Sequence, residues 1–182
     1  MRVAARFAYA AAVLFALHLI TYFIPALRDA TLATAPAIAI AVAVLAIAQH
    51  VVVFPVVATL PSVGWARIAA YTWLIGDMIS DLMQAGGASK SLYLTLRLIV
   101  NVLAALWIAA ASAPAEGRVK AIGYIVAGLL LAYSLASTLT PNAFILALPA
   151  LVLLPLWFAL MGRRLDRPVA PESTAPTAAS PN

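Results

Sequence analysis

The sequence predicts an all-α integral membrane protein: a six-helix transmembrane bundle with short loops and both termini on the cytoplasmic side. Three observations predict it. Of 182 residues, 65% are hydrophobic and 9% charged, with a mean hydropathy of +1.05, whereas a soluble domain carries roughly 25% charged residues. The apolar residues fall in runs of about 20, the length that crosses the hydrocarbon of a bilayer, and the stretches between them hold Pro, Gly and most of the charges. The basic residues are also asymmetric. Arg2, Arg6, Arg67, Arg118, Lys120, Arg163, Arg164 and Arg167 fall on one side, against Arg28 and Lys90 on the other, and the positive-inside rule makes the first side cytoplasmic. The expected setting is therefore the cytoplasmic (inner) membrane, with the lipid bilayer as the first partner. The formal charge of +5 flanks apolar segments and does not cluster as a nucleic-acid footprint would, so no nucleic acid is expected. Cysteine is absent, which excludes disulfides, thiolate metal sites and cysteine nucleophiles.

The first segment is expected over residues 7–27, behind Arg2 and Arg6; its apolar stretch is too long for the core of a signal peptide, so a retained helix is expected. The second, 36–60, opens on Pro36, a residue suited to a first helical turn, and Pro55 inside it is expected to bend it and free a carbonyl near Val51, beside His50. The third, 67–84, ends at Gly86-Gly87, and the fourth, 91–113, at Pro114. The fifth and sixth, 121–140 and 143–161, are joined by Pro141-Asn142, a turn short enough to force them antiparallel. Residues 1–166 thus form one transmembrane domain. The tail 167–182 is Pro, Ser, Thr and Ala without periodicity and is expected to be disordered.

Three charges lie inside apolar segments: Asp77 and Asp81 in the third and Arg97 in the fourth. Each costs roughly 2.5 to 3.5 kcal/mol at mid-bilayer without a partner, so they must meet one. At 1.5 Å per residue, Asp77, Asp81, Arg97, Asn101, His18 and His50 share a slab about 7 Å thick. Trp73, Asp77, Ser80, Asp81 and Gln84 form one stripe on the third helix, and Tyr93, Arg97 and Asn101 another on the fourth. The Gly86-Gly87 hairpin mirrors Arg97 onto the level of the two aspartates, so the stripes are expected to face each other. One Arg97 against two carboxylates leaves either a net negative charge or a bound proton in the layer.

The expected site is therefore Asp77, Asp81, Arg97, Asn101, His18, His50, Trp73 and Tyr93. The preferred function is small-molecule or proton-linked transport or binding, with protons or a small polar or cationic ligand as partner. The alternative is a non-catalytic accessory membrane protein whose buried Asp-Arg cluster only fixes helix packing. Level histidines could in principle ligate haem, and His18, His50 and Asp77 could hold zinc if their helices converged; the ordinary case is a pair of hydrogen-bonded core histidines, with Tyr22 one turn from His18 as partner, and no cofactor is expected. Asp77-x-x-x-Asp81 resembles the paired aspartates of membrane transferases in spacing alone. The Asp-Gly and Ala-Arg elements of the CDP-alcohol transferases, and the Asn-Asp pair of the prenyltransferases, are missing upstream of Trp73. Protease motifs are missing too, and enzymatic activity is not favoured. Ser134, Ser137 and Thr138 are expected to bond carbonyls of their own helix, and Trp65, Trp107 and Trp157 to anchor at the membrane interfaces.

Overall fold

The computed structural model describes residues 3–60, 63–140 and 143–166, and the chain is helical, with no strand among the described residues. The helices are α1 Val3–Phe23, α2 Pro25–Arg28, α3 Pro36–Val51, α4 Phe54–Thr59, α5 Gly64–Ala85, α6 Lys90–Ser112, α7 Gly117–Ala136 and α8 Phe144–Asp166. Among the described residues, five stretches are long and apolar enough to cross a membrane: Val3–Phe23, Pro36–Thr59, Lys90–Ser112, Gly117–Ala136 and Ile145–Asp166. The 22 residues of α5 have the length, but its charged and polar residues keep it out of that class. Ile20, Ile40, Ile68, Ile99, Leu135 and Ile145 stand exposed on the outside of the bundle, as lipid-facing side chains of a helical membrane protein do.

Local chemistry sets the breaks. The expected first segment is two helices, because Ile24, preceding Pro25, is extended at φ −109° and ψ 102°, as a residue before proline prefers. The second segment breaks at Val52 and Val53, between α3 and α4. Pro55 has no N–H for the Val51 carbonyl, and the chain tightens there, Val53 N–H bonding the His50 carbonyl at 3.0 Å. His50 thus sits in the last turn of α3, beside the break. The α5–α6 hairpin closes through Ala88 N–H on the Met83 carbonyl at 2.9 Å, with Gly87 at φ +79°, the left-handed conformation that favours glycine. Helix α7 ends four residues earlier than expected, in a turn where Thr140 N–H bonds the Ala136 carbonyl at 2.9 Å. The expected Pro141-Asn142 turn and the expected disordered tail 167–182 lie outside the described residues.

The helices close into a ring: α1 packs on α3, α3 on α5, α5 on α6, α6 on α7, α7 on α8 and α8 back on α1. Glycines permit the closest approaches, since a Cβ on Gly76 would collide with Val100 of α6, and one on Gly123 would meet Ser112 and lie 2.7 Å from Trp157 Nε1. One end of the ring is solid. There the N-terminal halves of α1, α5 and α7 meet α4 and the C-terminal halves of α6 and α8 around Trp73, Trp107, Trp157 and Phe158. Their rings lie 5.6 Å (Trp73 to Trp107), 5.5 Å (Trp107 to Trp157) and 5.0 Å (Trp157 to Phe158) apart. This corrects the expectation for Trp107 and Trp157, which are fully buried core residues and not interface anchors; depth along a helix says nothing about which way a ring faces. Trp65, 56% exposed, does face outward.

Candidate functional site

The opposite end of the ring is hollow. A cavity of about 770 Å³ runs from the floor made by Phe15, Trp73, Ala104 and Leu154 to the loop end, where Arg28, Asp29, Lys90, Ser91 and Thr140 line it. All eight expected residues, His18, His50, Trp73, Asp77, Asp81, Tyr93, Arg97 and Asn101, lie in its wall. The α5 and α6 stripes do face each other, and Ser80 Oγ stitches them by donating to the Tyr93 carbonyl at 3.0 Å.

Arg97 is the hub. Its Nη2 donates to Asp81 Oδ1, its Nη1 to the Tyr22 hydroxyl at 3.1 Å and to Gln84 Oε1 at 3.5 Å, and its Nε lies 3.6 Å from Asp77 Oδ1. The guanidinium thus joins α6 to α5 and α1 in one contact set, the planar fork that only arginine supplies. Gln84 carries the tie to the loop end by donating to the Arg28 carbonyl at 3.0 Å.

His50 completes the cluster. Its Nδ1 lies 2.7 Å from the Ala46 carbonyl, and because a carbonyl only accepts, Nδ1 carries a hydrogen. Its Nε2 lies 3.4 Å from Asp77 Oδ2, which also accepts from Trp73 Nε1 at 2.8 Å. Two lone pairs cannot face each other across that gap favourably, so the pair calls for one proton, as imidazolium with carboxylate or as imidazole with carboxylic acid. The second carboxylate left over by Arg97 is thereby balanced. The cluster of Asp77, Asp81, Arg97 and one proton is neutral, which is what burial in hydrocarbon demands.

Comparison of the chain with protein-family models, with curated proteins and with solved structures finds no match.

Geometry bears on the cofactor candidates. Both ring nitrogens of His50 face protein acceptors, the Ala46 carbonyl and Asp77 Oδ2, and no group of three or more His, Asp or Glu among the described residues is arranged to hold a metal ion. His18 is 8% exposed, and its Nδ1 has no hydrogen-bond partner; it meets Tyr22 ring to ring at 5.4 Å, in place of the hydrogen bond expected for a core histidine.

Other wall residues lay outside the expected set. Gln49, 4% exposed with its Oε1 buried and unpartnered, stands beside His50, and its polarity within an apolar segment was the signal. Tyr133, Ser137 and Thr140 of the α7 end repeat at helical spacing and line the same cavity. Thr138 bonds the Leu135 carbonyl at 2.6 Å, as expected of its type, whereas Ser134 Oγ is buried without a partner. A second cavity, of about 30 Å³, lies behind Asp81 and Gln84 between α1, α3 and α5, with room for a water or two.

Proposed function

We propose that this is a polytopic protein of the cytoplasmic membrane that binds or transports a small molecule, or moves protons coupled to one, at the cluster around Asp77, Asp81 and Arg97. On this reading residues 1–166 form a single domain crossing the membrane six times, with α3 and α4 as one broken span, α5 as the polar span, and both termini in the cytoplasm. The observation that carries it is the cavity of about 770 Å³, within the range that houses small ligands, which reaches both aspartates from the loop end. A site that handles a solute must be open to water from at least one face, whereas a cluster that only locks helices together gains nothing from a hollow beside it. The locking reading draws on the Arg97 contacts, which bind three helices; the two readings differ in whether the cluster is wet.

Because the chain has no cysteine, single cysteines test this directly. Asn101→Cys, deep in the wall, and Ser137→Cys, nearer the mouth, should react with a charged, membrane-impermeant thiosulfonate added outside intact cells. Ser112→Cys, fully buried against Trp157, should not. Failure of both wall cysteines to react, in permeabilised as in intact cells, with the proteins folded and monodisperse, would leave the accessory, structural reading standing.

A further inference from the structure

Residues lining the cavity carry unpaired buried polar atoms, whereas its central donor is already engaged. Arg97 is taken up by Asp81, Tyr22 and Gln84, with Asp77 Oδ1 at 3.6 Å, and has little left for an anionic ligand. Asp77 Oδ1, Gln49 Oε1 and His18 Nδ1 are buried without a hydrogen-bond partner, and Asp81 Oδ2 lies 3.9 Å from its neighbour His50 Nδ1, beyond hydrogen-bond reach. Buried polar atoms left unpaired are unfavourable, and a ligand that donates to the Asp77 and Gln49 oxygens, and to His18 Nδ1 in its Nε2–H tautomer, removes the penalty. Tyr22, Tyr93 and Tyr133 stand in the same wall, and an aromatic ring attracts a cation to its face.

We infer that the site takes an organic cation bearing N–H donors, the ammonium of a primary or secondary amine, and that the cation enters in exchange for the proton held between His50 and Asp77. This rests on the binding reading above and names its ligand class. The groups around that proton are Asp81 on α5, Arg97 and Tyr93 on α6, His18 and Tyr22 on α1 and Tyr133 on α7, while α8 contributes Ala147, Leu151 and Leu154. With the proton in place the cluster is neutral; a cation added to it leaves one uncompensated positive charge in an apolar slab, and loss of the proton restores neutrality. The bond that breaks is the N–H or O–H holding the proton between His50 Nε2 and Asp77 Oδ2; the proton leaves to water at the mouth as the ammonium arrives, one of its N–H groups donating to the His50 Nε2 lone pair so uncovered and others to Asp77 and Gln49 Oε1.

The test uses the purified full-length protein in detergent with 2-phenylethylamine, its neutral counterpart 2-phenylethanol, its anionic counterpart phenylacetate, and the trimethylated amine, a cation without N–H. Isothermal titration calorimetry in two buffers of different ionisation enthalpy counts protons. The amine should bind with release of about one proton, and its affinity should rise with pH, by up to about tenfold per unit wherever the free site still holds that proton. The trimethylated cation should bind at least about tenfold more weakly, the size of one lost hydrogen bond, and the neutral and anionic compounds weaker still. Asp77→Asn should abolish amine binding and proton release. Gln49→Leu, which removes an unpartnered polar atom and so leaves the fold intact, should weaken the amine about tenfold with the proton count unchanged. Amine binding without proton release, or equal binding of phenylacetate or 2-phenylethanol, would overturn the inference while leaving a binding site. If none of the four binds although Asn101→Cys is labelled, the ligand class is wrong and the site reading survives; if none binds and Asn101→Cys is unlabelled, both fall.

Discussion

Arg97 shows what one buried charge does in this bundle. Its side chain is 13% exposed, and its partner Asp81 is 9% exposed, so removing one strands the other in low dielectric. Arg97→Ala should therefore destabilise by about 3–5 kcal/mol, read as a fall in the thermal or denaturant midpoint in detergent. Arg97→Ala with Asp81→Asn should recover part of that loss, since the stranded charge is gone. If the double variant is no more stable than the single one, the charge is not what Arg97 serves. That Arg97 pairs with an α5 aspartate was legible from the mirror about Gly86-Gly87 and from the cost of a lone charge. Which aspartate it prefers was not, because Asp77 and Asp81 are one turn apart and the choice depends on His50 and Trp73, which hold Asp77 Oδ2. The break beside His50 was legible from Pro55, but its role also depends on the Ala46 carbonyl that fixes its ring, a contact that residue spacing does not encode.

At the scale of elements, α7 carries two interior glycines, Gly123 and Gly128, with opposite surroundings. A Cβ on Gly123 would strike Ser112 Oγ and come within 2.7 Å of Trp157 Nε1, whereas one on Gly128 meets nothing within 4 Å. Gly123→Ala should push α7 away from α6 and α8 and cost about 1–3 kcal/mol. Gly128→Ala should be neutral or stabilise by roughly 0.5–1 kcal/mol, because alanine loses less backbone freedom in a helix. Thermal unfolding of the two variants side by side tests this, and equal effects would mean that Gly123 is not a packing contact. The sequence alone offered no dimer motif at these glycines, and their different roles follow from what faces each one across the bundle. Prolines behaved more predictably: Pro55 broke its helix where its missing N–H required, and Pro149 and Pro155 are accommodated inside α8. Pro25, which divides the first segment, carried the same signal through Ile24 before it.

For the whole molecule, the prediction concerns orientation. Fusions at Asn182 and near Met1 should both report cytoplasm, and a tag between Arg28 and Pro36 should report the outside. Opposite locations for the two ends would mean that one of the six proposed crossings is not a crossing. Contacts bring the loop regions of each end together: Arg164 Nη2 donates to the Pro114 carbonyl at 2.8 Å at one end, and Leu32 N–H to the Ala85 carbonyl at 2.8 Å at the other. Composition and the spacing of apolar runs were enough to point to a helical membrane protein whose few internal charges must meet partners, because hydrocarbon tolerates neither bare backbone nor lone charge, and both demands are local enough to read along a chain. Only the tertiary structure decided that the ring closes through α1 and α8, that Trp107 and Trp157 turn inward to plug one half, and that the other half stays hollow. Those outcomes depend on which face of each helix meets which neighbour, a relation among helices distant in sequence that no single segment carries.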